Sequence, residues 1–268
     1  MVINKETFML CGSIGEAEAL TLDTDRYKAN IKFDGERIIT LVLKGDVVMI
    51  NRNGKICNYH FREVEAELKG LGDCVIDGEV ISLDDDFSKL QRRALTQNLQ
   101  KIKQLEIDIP VKYMVFDCLM LGSEDLRNKP LMERLESISK LIGDNHAHLG
   151  KVGYEAIQTQ LEIAKREGRE GIIIKDMKAK YEGKRGEAWR KLKFFQEAVI
   201  TFQKYTSNPK GIRVETNDGL VACQVSGKQS EEIQHKLDTN GSVDIYIQYL
   251  TKSADGHLRF PSCRGIAN

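Results

Sequence analysis

The stretch that decides the fold is Tyr27–Arg37, YKANIKFDGER. Lys32 stands between apolar Ile31 and Phe33; Asp34, Gly35 and Arg37 follow, and then a second apolar run, IITLVL. An ammonium between apolar neighbours on a predicted strand is unusual, because lysine is rarely buried without a partner. Two readings fit the segment. Asp-Gly between two alternating runs is a strong hairpin signal. Alternatively, Lys32 is a nucleophile whose pKa is lowered by desolvation or by neighbouring cations. A pattern of five common residues does not choose between them.

Outward from this point the chain alternates strand and helix patterns. Tyr27–Phe33, Arg37–Leu43 and Val47–Asn51 read as strands separated by Asp34-Gly35 and Gly45-Asp46. A polar NRNG turn (51–54) leads to an amphipathic helix, Tyr59–Leu68, ended by Gly70 and Gly72. Cys74–Leu83 is a strand whose Asp77 and Glu79 share one face. The acidic triplet Asp84–Asp86 opens a basic, Gln-rich helix to about Lys103, and Val111–Leu119 is an apolar strand. Pro130–Ile142 and Tyr154–Glu167 are helices, and EGIIIK (170–175) is a buried strand with Glu170 at its mouth. In WRKLKF, Lys191 and Lys193 share a strand face, either protecting an edge or aiming two cations into one cleft. From Gln196 onward, short strands with Gly and Asn turns and one helix near Glu231–Leu237 suggest a small OB-type barrel. The expected organisation is α+β: residues 1–195 in mainly antiparallel sheets, and an OB-fold domain over 196–268.

Composition narrows the class. Of 268 residues, 41% are hydrophobic and 30% charged, as in globular proteins. No run is long enough to span a membrane and no signal-peptide core is present, so a cytoplasmic protein is expected. The cysteines (11, 57, 74, 118, 223, 263) form no C-x-x-C, and His146 and His148 lie in a polar loop without a third ligand. Free thiols and a solvated loop are expected rather than a zinc site. Net charge is zero, yet Lys89, Arg92, Arg93, Lys101 and Lys103 form a stretch without acids, and 175–193 is basic. Such stretches permit a one-sided phosphate-binding surface.

Six short motifs therefore stand in order: KFDGER (32–37), NRNG (51–54), DGEV (77–80), VFDCL (115–119), EGIIIK (170–175) and WRKLK (189–193), with RFPSCRG closing the barrel. The ordered set resembles the covalent nucleotidyltransferase superfamily of DNA ligases, RNA ligases and capping enzymes. Within it the chain looks most like a minimal ATP-dependent DNA ligase. The residue types suit that chemistry: a lysine nucleophile, cations around the α-phosphate, carboxylates for a divalent metal and an aromatic surface for the base. No Walker A sequence is present.

The resemblance implies the following roles. Lys32 attacks the α-phosphorus of ATP and carries AMP, with Mg²⁺ (or Mn²⁺) held by Asp34, Glu79 and Glu170. Arg37 contacts ribose or phosphate, Glu79 the ribose, and Phe116 stacks on adenine; Asn30, Ile31 and Lys175 complete the nucleotide set. Lys191 and Lys193 touch the α-phosphate, and Arg259 orients the leaving pyrophosphate. Arg52 grips the 5′-phosphate of nicked duplex DNA, and AMP transfer followed by 3′-hydroxyl attack seals it, as in replication, repair and recombination. Lys89, Arg92 and Arg93, with Lys184 and Arg185 of the 178–185 loop, are expected to hold the duplex backbone. A monomer is expected.

The chain departs from the pattern at three places. Asn30 stands where many ligases carry a glutamate that accepts from the adenine amino group; an amide oxygen accepts the same bond. Ala267 stands where an arginine is usual, which implies slower self-adenylation. With about thirty residues before Lys32 and a short Tyr205–Arg213 hairpin, neither an N-terminal DNA-binding domain nor a long clamp insertion is expected. An RNA ligase or a GTP-using capping enzyme is the alternative within the superfamily. A plain OB-fold nucleic-acid binder is the alternative outside it.

Overall fold

The structure, a computed structural model, describes residues 3–253 and 255–267. The chain divides into two compact units between Leu192 and Lys193. Among the described residues no helix is long and apolar enough to cross a membrane. The cysteines are free thiols.

In the first unit the elements run β1 (Leu10–Ser13), α1 (Glu16–Ala19), β2 (Tyr27–Ile31), β3 (Glu36–Leu43), β4 (Asp46–Asn51), α2 (Arg62–Leu68), β5 (Cys74–Ser82), α3 (Phe87–Leu95) and α4 (Leu99–Asp108). They continue with β6 (Val111–Leu121), β7 (Glu124–Asp125), α5 (Leu131–Leu141), β8 (Leu149–Lys151), α6 (Ile157–Arg166), β9 (Gly171–Asp176) and β10 (Arg185–Lys193). One sheet has the order β4-β3-β5-β6-β7, with β8 parallel to β6; the other is β1-β10-β9-β2. β2 and β3 thus lie in different sheets. The Asp34-Gly35 turn is a crossover, not the hairpin corner that its sequence also permits.

The IITLVL run lacks a polar face because β3 is buried on both sides. Ile38 and Val42 pack with Phe61, Val64, Leu68, Leu90 and Ile138 on the helix-bearing face. Ile39 packs with Phe8, Val75, Phe116 and Trp189 between the sheets. β5 alternates in the same way, with Cys74 and Ile76 on the helix face and Val75 opposite. α6 covers the outer face of β2 and β9.

Three expectations change here. The helix from Asp86 to Lys103 is two helices, because Thr96 is extended and Asn98 restarts the chain by accepting from the Gln100 and Lys101 amides. Arg93, expected on a DNA-facing surface, is 0% exposed. Its guanidinium donates to the His60 carbonyl (2.8 Å), the Ile109 carbonyl (2.6 Å) and Glu63 Oε2 (2.6 Å) and lies over the Phe61 ring. The 144–148 loop is also more than solvated, since Glu67 accepts from the Ala147 and His148 amides.

The second unit contains β11 (Gln196–Phe202), β12 (Lys204–Asn208), β13 (Gly211–Glu215), β14 (Ala222–Val225), α7 (Lys228–Asn240), β15 (Val243–Tyr249), β16 (Thr251–Lys252), β17 (Leu258–Arg259) and β18 (Ser262–Ile266). β11 and β12 are one bent strand interrupted at Gln203. They begin two three-stranded sheets, β11-β15-β18 and β12-β13-β14, and β14 lies against β18. This ring of five strands, with α7 between the third and the fourth, is an OB-type barrel. Val243, Ile245, Ile247 and Tyr249 point inward, and Ile233 and Leu237 of α7 close the core. The β12–β13 hairpin turns between Asn208 and Gly211, too tight for any insertion.

Arg93→Ala leaves a carboxylate and two buried carbonyls unpaired, and should cost about 3–5 kcal/mol in urea unfolding. Exposed Arg92→Ala should stay within about 0.5 kcal/mol of the parent.

Candidate active site

Lys32 leaves β2 at the crossover. Its amide donates to the Gly171 carbonyl (2.9 Å), and its Nζ pairs with Glu170 Oε2 at 2.8 Å. Glu170 is 8% exposed, while the lysine side chain keeps 22% of its surface. The nucleophile candidate and the mouth of β9 are therefore fastened together. Gly35 lies flat on β5: a Cβ there would come within 2.2 Å of the Val80 carbonyl oxygen and 2.8 Å of Glu79 Cγ. Only glycine permits that approach.

β3 and β5 pair Arg37 with Glu79 and Ile39 with Asp77, so these side chains share the inter-sheet face. The structure commits the Arg37 guanidinium to protein. Nε and Nη2 donate to the two oxygens of Asp77 (3.0 and 2.6 Å) and Nη1 donates to the Met9 carbonyl (2.6 Å). Tyr181 adds its hydroxyl to Asp77 at 2.7 Å. Arg37, expected at the nucleotide, supports Asp77 in this structure. Burial pushes the Glu79 carboxyl up to about 7, against the opposing pull of Lys32 and Arg37; Asp77 and Asp34 add to the rise.

β6 carries a bulge opposite Asp77/Gly78, where Asp77 faces Asp117 and Gly78 faces Val115. The extra residue is Phe116, which the bulge turns into the inter-sheet core. Its ring meets Trp189 edge-on (5.8 Å, 80°), and its carbonyl accepts from the Tyr154 hydroxyl at 3.0 Å. Lys175 enters the same cluster. Its Nζ lies 4.2 Å from the Phe116 centroid and 3.8 Å from that of Trp189, and donates to Tyr154 (2.7 Å). Burial pulls the Lys175 ammonium down to about 7. Beneath this, Asp117 and Arg134 are fully buried and paired at 2.6 and 2.9 Å.

Asn30 pairs with Ile173 across β2 and β9, on the same sheet face as Lys175. Asn30 Nδ2 donates to the Ile31 carbonyl at 2.6 Å, which fixes the amide orientation. Its Oδ1 is buried without a partner. An orphan acceptor of this kind costs free energy unless a ligand donor satisfies it. On β10, Trp189, Lys191 and Lys193 share a face by alternation. Lys193 opens the second unit, its Nζ 5.2 Å from the Phe260 ring centre; Arg259 lies on β17 beside the same ring.

The remaining basic residues stand apart. Arg52 is exposed in its turn, and Arg92 on α3. Lys89 pairs with Asp84, Lys184 with Glu182 at 3.0 Å, and Arg185 donates to the Cys11 carbonyl. Among the described residues no three His, Cys, Asp or Glu side chains are grouped to hold a metal. The sequence reading missed Tyr154, Ile173, Tyr181 and Trp189. Their contacts with named motif residues single them out: Tyr154 with Phe116 and Lys175, Ile173 opposite Asn30, Tyr181 with Asp77 and Trp189 with Phe116.

Residues 9–193 match the family model of the ATP dependent DNA ligase domain. A DNA ligase of Haloarcula marismortui is 30% identical over 241 residues, covering 81% of this chain and 44% of that protein. DNA ligase 4 of Eremothecium gossypii is 28% identical over 187 residues, 60% of this chain and 19% of its own. The chain thus spans less than half the length of these relatives. In fold, a Lig E DNA ligase studied for DNA binding with a minimal scaffold matches over 100% of both chains (TM-score 0.71, 18% identity). The bacteriophage T7 ATP-dependent DNA ligase in complex with ATP matches over 98% of this chain and 99% of its own (TM-score 0.54, 18% identity).

The raised Glu79 pKa means that the folded protein holds more protons than the unfolded chain between the ordinary carboxylate range and about 7. Stability is therefore lost as pH rises through that window. Glu79→Gln should raise Tm at pH 8 and lose that gain toward pH 5. Lys175→Met should show the opposite trend, with its gain largest below pH 7. Thermal unfolding across pH measures both.

Proposed function

Because the chain belongs to the ATP-dependent DNA ligase domain family, we propose that it is a DNA ligase that joins 5′-phosphate and 3′-hydroxyl ends at nicks through a lysyl-AMP intermediate. The observation that carries the reading is the Lys32–Glu170 pair, set at the crossover between the two sheets.

Lys32 Nζ attacks the α-phosphorus of ATP. A P–N bond forms, the P–O bond to pyrophosphate breaks, and Glu170 Oε2, 2.8 Å away, is placed to take the ammonium proton. Lys191 lies on the β10 face that Trp189 marks as inward and supplies positive charge for the developing phosphate charge. Asn30 Oδ1 accepts from the adenine amino group; guanine offers an acceptor at that position, so the orphan oxygen favours ATP over GTP. Phe116 borders the base, backed by Trp189 and Lys175. Glu79 receives the ribose, and Arg37 holds the strand beneath it through Asp77.

Asp34, Glu79 and Glu170 would hold a Mg²⁺ (or Mn²⁺) ion, which takes oxygen donors of this kind. Such a metal offsets phosphate charge during transfer. In the second step the 5′-phosphate of the nick, met by Arg52, displaces Lys32 from AMP. In the third step the 3′-hydroxyl displaces AMP and closes the backbone. Arg92 on α3 and Lys101 and Lys103 on α4 are each exposed and suited to duplex phosphates.

Incubation with ATP and Mg²⁺ should add the mass of one AMP to the protein, and a 5′-phosphorylated nick should be sealed. Lys32→Ala should abolish both. Sealing of an unadenylated nick by the alanine variant would overturn the reading. Asn30→Leu should raise the KM for ATP by about 10- to 100-fold, the worth of one buried hydrogen bond, with little change in GTP use.

A further inference from the structure

We propose that Glu36 is a positioning residue: it clamps the turn that carries Arg52 to the crossover that carries Lys32, and so places the nick's 5′-phosphate for AMP transfer. The proposal rests on the ligase reading above.

Glu36 follows Gly35 directly and begins β3. Its partner across β5 is Val80, so it points to the helix-bearing face, opposite to Arg37 and Glu79. It therefore stands on the far side of the sheet from the groups assigned to the nucleotide. Its Oε1 accepts from Asn51 Nδ2 at 2.9 Å. Asn51 is the last residue of β4, and its remaining polar groups all serve the Arg52 turn. Its Oδ1 accepts from the Asn53 and Lys55 amides, each at 3.1 Å. Its carbonyl accepts from the Gly54 amide (2.8 Å), and its own amide donates to Lys55 (2.9 Å). Gly54 adopts φ +77° to close the turn, and an Ile50–Ile56 bridge seals its base.

The hairpin does not need Glu36 for its register. The β3–β4 ladder already runs from Ile38–Asn51 to Leu43–Asp46. What the carboxylate adds is a fixed orientation of the turn's head relative to the segment preceding β3. That segment is Lys32–Gly35, already pinned by the Gly171 carbonyl and by the close approach of Gly35 to Val80. Glu36 and Asn51 thus connect two rigid bodies, one bearing the nucleophile and one bearing an exposed arginine. Both turns line one groove of about 380 Å³, with Gly35 and Glu36 beside Asn51, Asn53 and Lys55. Packing alone does not account for a carboxylate here. Its second oxygen, Oε2, is buried without a partner. A group that costs free energy where it stands is retained for what its one bond holds.

The test separates the two chemical steps in single-turnover assays of the full chain. Lysyl-AMP formation is followed with ATP and Mg²⁺, and AMP transfer is followed from preadenylated protein to a 5′-phosphorylated nick. Glu36→Ala should self-adenylate within about twofold of wild type yet transfer AMP at least about tenfold more slowly at saturating nick, because an error of an ångström in placement costs that much or more. Glu36→Gln, whose amide oxygen accepts the same bond, should recover to within about threefold. Asn51→Ala should give the alanine pattern, and the double variant should be no worse than either single by more than about twofold, as expected of one shared interaction. Equal loss in both steps would make Glu36 a general support of the domain and overturn the proposal, as would unimpaired transfer by Glu36→Ala. Wild-type protein that forms no lysyl-AMP would overturn the ligase reading itself, a result visible without any variant.

Discussion

The absence of a side chain at position 35 sets the geometry of everything around it. β2 and β3 belong to different sheets, and the chain passes from one to the other in four residues. It does so by lying on β5 so closely that any Cβ on Gly35 would overlap the Val80 carbonyl. Because the crossover cannot lift, Lys32 stays against Glu170, and Glu79 comes within electrostatic reach of Lys32 and Asp34. A larger residue would have to push against β-sheet backbone, which is hydrogen-bonded on both sides and yields little.

Such a cleft has a cost, and the buried ion pairs beneath it show how it is met. In Arg37–Asp77–Tyr181 and Arg134–Asp117 every guanidinium nitrogen donates to an acceptor, several of them main-chain carbonyls. Pairs of this kind contribute little net stability when intact but are costly to break. They hold the rigid floor on which Phe116, Glu79 and Asp34 are set. The β6 bulge has the same purpose in another form. It spends one ladder position to turn Phe116 inward beside Asp117, a direction that strand alternation would deny one of them.

How far the sequence could be read follows from what kind of signal each feature leaves. Strand existence and the order of motifs were legible, because a sheet buried on both faces leaves unbroken apolar runs and the chemistry leaves charges at their ends. The change of sheet at Asp34-Gly35 was not, since a crossover and a hairpin use the same two residues. Nor was the fate of individual cations. Arg92 and Arg93 are adjacent in a basic stretch, yet a helix turns one to solvent and buries the other on Phe61. Arg37 looked like a ligand residue and supports Asp77; Lys175 closed a motif and proved to sit in a box of aromatic rings. In each case the deciding partner is distant in the chain, so no local pattern announces it. Asn30 is the converse case: its departure from glutamate was visible in the sequence, but only the structure shows that its oxygen lacks a donor.

Glu79 and Lys175 give the cleft its electrical character. Burial acts on them in opposite senses, raising the carboxyl to about 7 and lowering the ammonium to about 7. Each shift makes the charged form harder to hold than in a free side chain. The firmly held charges lie deeper, where Arg37 and Arg134 are matched to Asp77 and Asp117. Paired, hydrogen-bonded charge thus lies below, and the two groups whose charge is opposed by burial lie above it.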